Sequence, residues 1–118
     1  MAPNSDIIAW TAGFYEGEGS CGMRGKLRWN ETQQRYYRPQ LRVEICQKDP
    51  TPLIFIKTSW KLKPKVYIDK YNKCHRYILS SKAAYEFLTT ILPYMHSAVK
   101  IKQAETALQN YKQQLCKE

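Results

Sequence analysis

The sequence predicts an α+β domain, and two observations predict it. Apolar residues switch twice from helical spacing to strict alternation and back, and each alternating pair is joined by a short polar turn. At 118 residues the chain suits one hydrophobic core, so 1–118 reads as a single domain. The order is α-β-β-α-β-β-α-α, with no linker and no low-complexity stretch.

The first helix is predicted from about Asp6 to Gly17, with Asn4, Ser5 and Asp6 as candidate caps. Ile7, Trp10 and Phe14 make one apolar stripe on it, and Ala9, Gly13 and Gly17 make a smaller one. Gly13 and Gly17 are four apart, which leaves a bare strip where another backbone can come close. Each helical glycine costs about 1 kcal/mol relative to alanine, and close helix–helix contact would offset it. Glu16 and Glu18 stand at the end of that strip.

From Gly19 to Asn30 the period becomes two. Cys21, Met23, Leu27 and Trp29 point one way, and Ser20, Arg24, Lys26 and Arg28 the other. A polar turn, Asn30 to Arg35, leads to a second strand from Arg38 to Gln47. There Leu41, Val43 and Ile45 oppose Arg38, Gln40, Arg42 and Glu44, giving a hairpin with one dry and one basic face. Asp49-Pro50 opens a second helix whose buried side is Leu53, Ile56 and Trp60. A second hairpin turns at Tyr71-Asn72-Lys73, with Val66, Ile68, Tyr77 and Leu79 on its dry face and Lys65, Tyr67, Asp69, Arg76 and Ile78 opposite. Ser80 or Ser81 starts a third helix with Ala84, Phe87, Leu88, Ile91 and Leu92 inward, and Pro93 breaks it. The last helix carries a seam of Ile101, Ala104, Leu108, Tyr111 and Leu115.

The formal charge of +9, from 19 basic and 10 acidic residues, favours polyanions, with nucleic acid ahead of membrane surface. No apolar run is long enough to span a bilayer, and the N-terminus does not read as a secretory signal. The four cysteines form no C-x-x-C pair and the two histidines complete no zinc spacing. Reduced thiols in an intracellular protein are therefore expected, with organelle, bacterial and phage origins undistinguished.

Thr11-Ala-Gly-Phe-Tyr-Glu-Gly-Glu-Gly19, followed by Ser20, resembles the signature of the LAGLIDADG homing endonucleases. The likeness continues through the α-β-β-α-β-β-α order, Gln47-Lys48 ending the second strand, Tyr77-Ile-Leu-Ser80, and the Lys100-Ile-Lys-Gln103 segment. It covers nearly the whole chain and is nearest the short, single-motif, homodimeric members. Two departures stand out: threonine opens the motif in place of leucine, and both acids are glutamate where many members carry aspartate.

The resemblance implies a saddle-like antiparallel four-stranded sheet backed by helices, and a metal-dependent enzyme that cuts both strands of DNA and leaves short 3′ overhangs. Glu18 would be the metal ligand, with the Gly17 carbonyl beside it, for Mg²⁺ or its substitute Mn²⁺. Gln47 would order water, and Lys100, or Lys102 if the register differs, would serve the scissile phosphate. The dimer seam would comprise Ala9, Ala12, Gly13, Glu16 and Gly17, with Glu16 in a structural role, capping or bonding within the interface. Ser20, Arg24, Lys26, Arg28, Arg38, Gln40, Arg42, Tyr67 and Arg76 would face a long pseudo-palindromic duplex. A catalytically silent DNA-binding protein, an RNA maturase and one half of a heterodimer are the alternatives on the same scaffold.

Overall fold

The computed structural model describes residues 2–25 and 27–116. Asn4 starts helix α1, Ser5–Glu18, by accepting the Ile7 N–H at 3.0 Å through its side chain. Strand β1, Gly19–Arg24, follows with no intervening loop. That abrupt exit needs glycine at position 19, because a Cβ there would collide with the Tyr15 ring. The next strands are β2, Arg28–Asn30, β3, Arg35–Tyr37, and β4, Gln40–Gln47. Helix α2, Thr51–Ser59, opens with the Asp49 carboxylate accepting the Thr51 N–H at 2.9 Å. Strands β5, Tyr67–Ile68, and β6, His75–Ser80, lead to α3, Ser81–Ile91. Pro93 falls in a 3₁₀ turn, Leu92–Tyr94, and α4 spans Ala98–Cys116.

Among the described residues one antiparallel sheet has the order β1-β4-β6-β5, and β2 and β3 form a separate two-stranded ribbon. In the main sheet Cys21 lies opposite Val43, and Val43 opposite Leu79, so all three stack on one face. That face is buried with Leu41, Ile45 and Tyr77 beneath the helices, against Phe87, Leu88 and Ile91 of α3 and Ala104 of α4. Burial pushes the Tyr77 phenol up to about 12. The opposite face stays open, which is how an antiparallel sheet can be dry on one side and wet on the other.

The buried side of α1 differs from the expected stripe. Ile8, Thr11, Ala12 and Tyr15 face inward, whereas Trp10 is 43% exposed. Apolar residues surround this helix, so periodicity alone does not set its phase. Thr11 explains why a threonine is tolerated here: it is 0% exposed, donates to the Ile7 carbonyl at 2.7 Å and accepts the Trp60 Nε1–H at 3.0 Å. Thr11→Val would leave that indole N–H unpaired in the core. We expect a loss of about 1–3 kcal/mol in urea unfolding; an unchanged midpoint would show that the Thr11–Trp60 bond is dispensable.

Three further expectations are corrected. The first strand is not continuous to Asn30, because Gly25 at φ +92° turns the chain out of the sheet. Leu27 and Trp29, expected on a dry face, are 58% and 46% exposed, since β2 pairs only with β3 and lies outside the main sheet whose face the helices cover. Ile68 and Leu115 are likewise half exposed, at 53% and 49%, at the sheet edge and the end of α4.

Candidate active site and nucleic-acid interface

Helix α1 ends where the site begins. Its last helical bond runs from the Gly19 N–H to the Tyr15 carbonyl, so the carbonyls of Gly17 and Glu18 lack an intrahelical donor. The Glu18 side chain is exposed at this foot. Lys100, in the first turn of α4, reaches across and donates through Nζ to the Gly19 carbonyl. The ammonium is thus tied to the residue next to Glu18, which distinguishes Lys100 from Lys102. Lys102 instead borders a cleft between β1 and α4 with Met23 and Thr106.

Glu16 holds the same junction from the other side. Its carboxylate accepts the backbone N–H of His96, at 2.8 Å, and that of Ser97. A carboxylate on the orphan donors preceding α4 also complements the helix dipole. Glu16 therefore caps the helix that carries Lys100. Gln47 closes β4, two residues beyond the Ile45 that pairs with Gly19, and is itself paired with His75 of β6. Its side-chain oxygen accepts the Lys48 N–H at 3.0 Å.

Ala9, Gly13 and Gly17 are exposed along α1, and a Cβ added at Gly13 or Gly17 would meet nothing within 4 Å. Among the described residues nothing requires glycine at either position. Ala12 corrects the expected seam, since it is 0% exposed and packs in the core. Trp10 and Phe14, expected as part of an apolar stripe, flank the glycine strip together with Phe55 and Ile54, which the pattern did not single out. Trp10 stacks on Phe14 at 5.3 Å and meets Phe55 edge-on at 5.0 Å, with Phe55 42% and Ile54 49% exposed.

The open sheet face carries Ser20, Arg24, Gln40, Arg42, Tyr67 and Arg76 as the alternation implied. Where this face meets the ribbon, Arg24, Arg28, Tyr37, Arg38, Gln40 and Arg42 line an open concavity of about 820 Å³. Lys26 lies outside the described residues. Tyr37 went unpredicted because it adjoins a turn. Its ring sits 5.5 Å from the Arg28 guanidinium and 5.2 Å from that of Arg35, so it orders two cations. Arg76 is engaged within the protein, donating to Glu44 at 2.8 Å and to Asp69 at 3.0 Å. The Tyr71 backbone N–H first, and Arg76 with it, hold the Asp69 carboxyl below its ordinary range.

The donors at the foot of α1 are hard oxygens on an exposed carboxylate and a helix C-terminus, the kind Mg²⁺ and Ca²⁺ accept. They fit such an ion in part. Among the described residues no three His, Cys, Asp or Glu side chains gather into a metal cluster. One chain offers one carboxylate there. Among the described residues no helix is long and apolar enough to cross a membrane.

No protein-family model matches the chain, and no curated protein matches its sequence. Solved structures do match. One is the homing endonuclease I-CvuI in complex with the I-CreI target in 2 mM Mg, its DNA not cleaved; identity is 20%, coverage 90% of this chain, and TM-score 0.71. The chain spans 66% of the I-CvuI chain. The group I intron-encoded homing endonuclease I-CeuI, complexed with DNA, matches 95% of this chain and 55% of its own at 13% identity, TM-score 0.62. The LAGLIDADG homing endonuclease I-LtrWI, bound to target DNA, matches 77% of this chain and 30% of its own at 22% identity, TM-score 0.54. The α+β architecture with its four-stranded antiparallel sheet is thus shared with these proteins, and the chain has the LAGLIDADG homing-endonuclease fold.

Proposed function

We propose that this chain is a homodimeric, sequence-specific DNA endonuclease of the homing type, dependent on Mg²⁺ and leaving short 3′ overhangs. One observation carries the reading: an exposed glycine strip on α1 runs into Glu18, next in the chain to the Gly19 carbonyl that tethers Lys100, and from there a sheet strand leads to the arginine-lined concavity. A second copy packed along Gly13 and Gly17 brings two Glu18 carboxylates together. Such a pair is unfavourable without cations between it, and it completes the half-site that one chain presents.

Glu18 and the Gly17 carbonyl would hold the metal. A bound divalent ion supplies an activated water and charge neutralisation at the leaving oxygen. The chain's own groups do the rest. Gln47 orients water, Lys100 donates to the scissile phosphate, and Glu16 fixes the helix from which Lys100 reaches. Arg24, Arg28, Arg38, Gln40 and Arg42 hold the duplex, where a strand-borne arginine reads guanine and a glutamine reads adenine in the major groove.

The test is a cleavage screen on a randomised duplex library with and without Mg²⁺. Mg²⁺-dependent double-strand cutting at one recurring, near-palindromic site is the expected result. Tight duplex binding without nicking in Mg²⁺ or Mn²⁺ would instead make the chain a silent binder, and a monomer in solution would make it half of a heterodimer.

A further inference from the structure

The open sheet face has two electrostatic zones. Toward the ribbon, Arg24, Arg28, Arg38 and Arg42 surround the concavity. Toward the foot of α1, the only guanidinium among the described residues of the main sheet is Arg76, and two carboxylates hold it. Glu44 lies on the middle strand, opposite Ser20 on one side and Ile78 on the other, so it sits on the open face. The group of Glu44, Arg76 and Asp69 carries one net negative charge, two carboxylates against one guanidinium. That group by itself gives a phosphate no net attraction. Phosphate contacts give affinity without sequence information, whereas contacts to base edges give the information.

The bonds within the group engage Arg76 Nε and Nη1 and Glu44 Oε2. Two of the five guanidinium N–H groups are so used, which leaves both Nη2–H and the second Nη1–H of Arg76 as donors, with Glu44 Oε1 as an acceptor outside these two bonds. Both residues are partly exposed, with side chains 24% and 27% accessible, so the pair can meet a duplex while keeping its geometry. In the major groove a G·C pair offers guanine O6 and N7 as acceptors and the cytosine amino group as a donor.

Resting on the DNA-cleaving reading above, we propose that Glu44 is a specificity-determining residue. It removes Arg76 from the pool of phosphate-seeking cations and, with it, presents a donor and an acceptor to a G·C pair in each half-site. Cytosine donates to Glu44, and Arg76 donates to guanine. The unit trades affinity for discrimination near the cleavage point, while the arginines of the concavity supply the general grip.

The test is selection by binding from a randomised duplex library, with cleavage blocked by EDTA, using the full chain, Glu44→Gln and Glu86→Gln. Glu86, on α3, carries the same charge change away from the open face and pairs only loosely with Lys82, at 3.9 Å. The wild type should enrich G·C at one position per half-site. Glu44→Gln should lose about tenfold in that preference, moving toward adenine, which a glutamine reads. It should also bind random duplex more tightly, with a salt slope steeper by about 0.9 for each additional phosphate neutralised. Glu86→Gln should change neither. Sequence-selective binding that Glu44→Gln leaves intact would overturn this proposal alone, as would equal effects from both variants. A wild type that binds no duplex would overturn the nuclease reading and this proposal with it.

Discussion

Glu18→Gln is expected to reduce strand cleavage by roughly 10³-fold, the scale seen when a charge-stabilising group leaves an active site, while duplex binding persists. Glutamine keeps the shape of the side chain and removes its charge, which a hard cation needs. The residue is exposed at the end of α1 and makes no hydrogen bond or ion pair among the described residues, so the fold should not register the change. The dimer should hold at least as well, because two like charges at the seam are abolished. Cleavage rates on the selected target, with binding measured in parallel, separate these effects. Undiminished cleavage would remove Glu18 from the metal site.

The second large effect is expected at the glycine strip. Gly13→Leu or Gly17→Leu should turn a dimer into a monomer and abolish cleavage with it. A Cβ at either position has open space around it, so the isolated fold accommodates the side chain. Exchanging a helical glycine for leucine should even raise the monomer's stability by about 0.5–1 kcal/mol. The signature is therefore a lower mass in sedimentation combined with an equal or higher melting temperature. A dimeric, active leucine variant would place the seam elsewhere. Gly19 gives the contrast: its Cβ would strike the Tyr15 ring, so substitution there should damage the fold itself.

Most of the elements were legible because their signals are local. Asn4 and Asp49 cap where cap residues are expected, and the alternation around Leu41, Val43 and Ile45 sets which face is buried. The phase of α1 was not legible. Ile7, Ile8, Trp10, Phe14 and Tyr15 give it apolar residues all round, and the pairing of Thr11 with Trp60 bridges a separation of 49 residues. The strand pattern also continued past the sheet into β2, since alternation reports side-chain direction and says nothing of whether a helix lies above.

By itself the sequence determined the α+β order, the glycine strip ending in Glu18, and the basic face of the hairpins. Each is a matter of spacing along a helix or strand, where neighbours are known from covalent geometry. The tertiary structure alone decided that Lys100 and not Lys102 reaches Gly19, that Glu16 caps α4, that Ala12 is core, and that Glu44 and Asp69 hold Arg76. Most of those contacts join residues far apart in the chain, up to 81 positions for Glu16 and Lys100. Their partners are chosen by how helices pack on the sheet, and no local period encodes that choice.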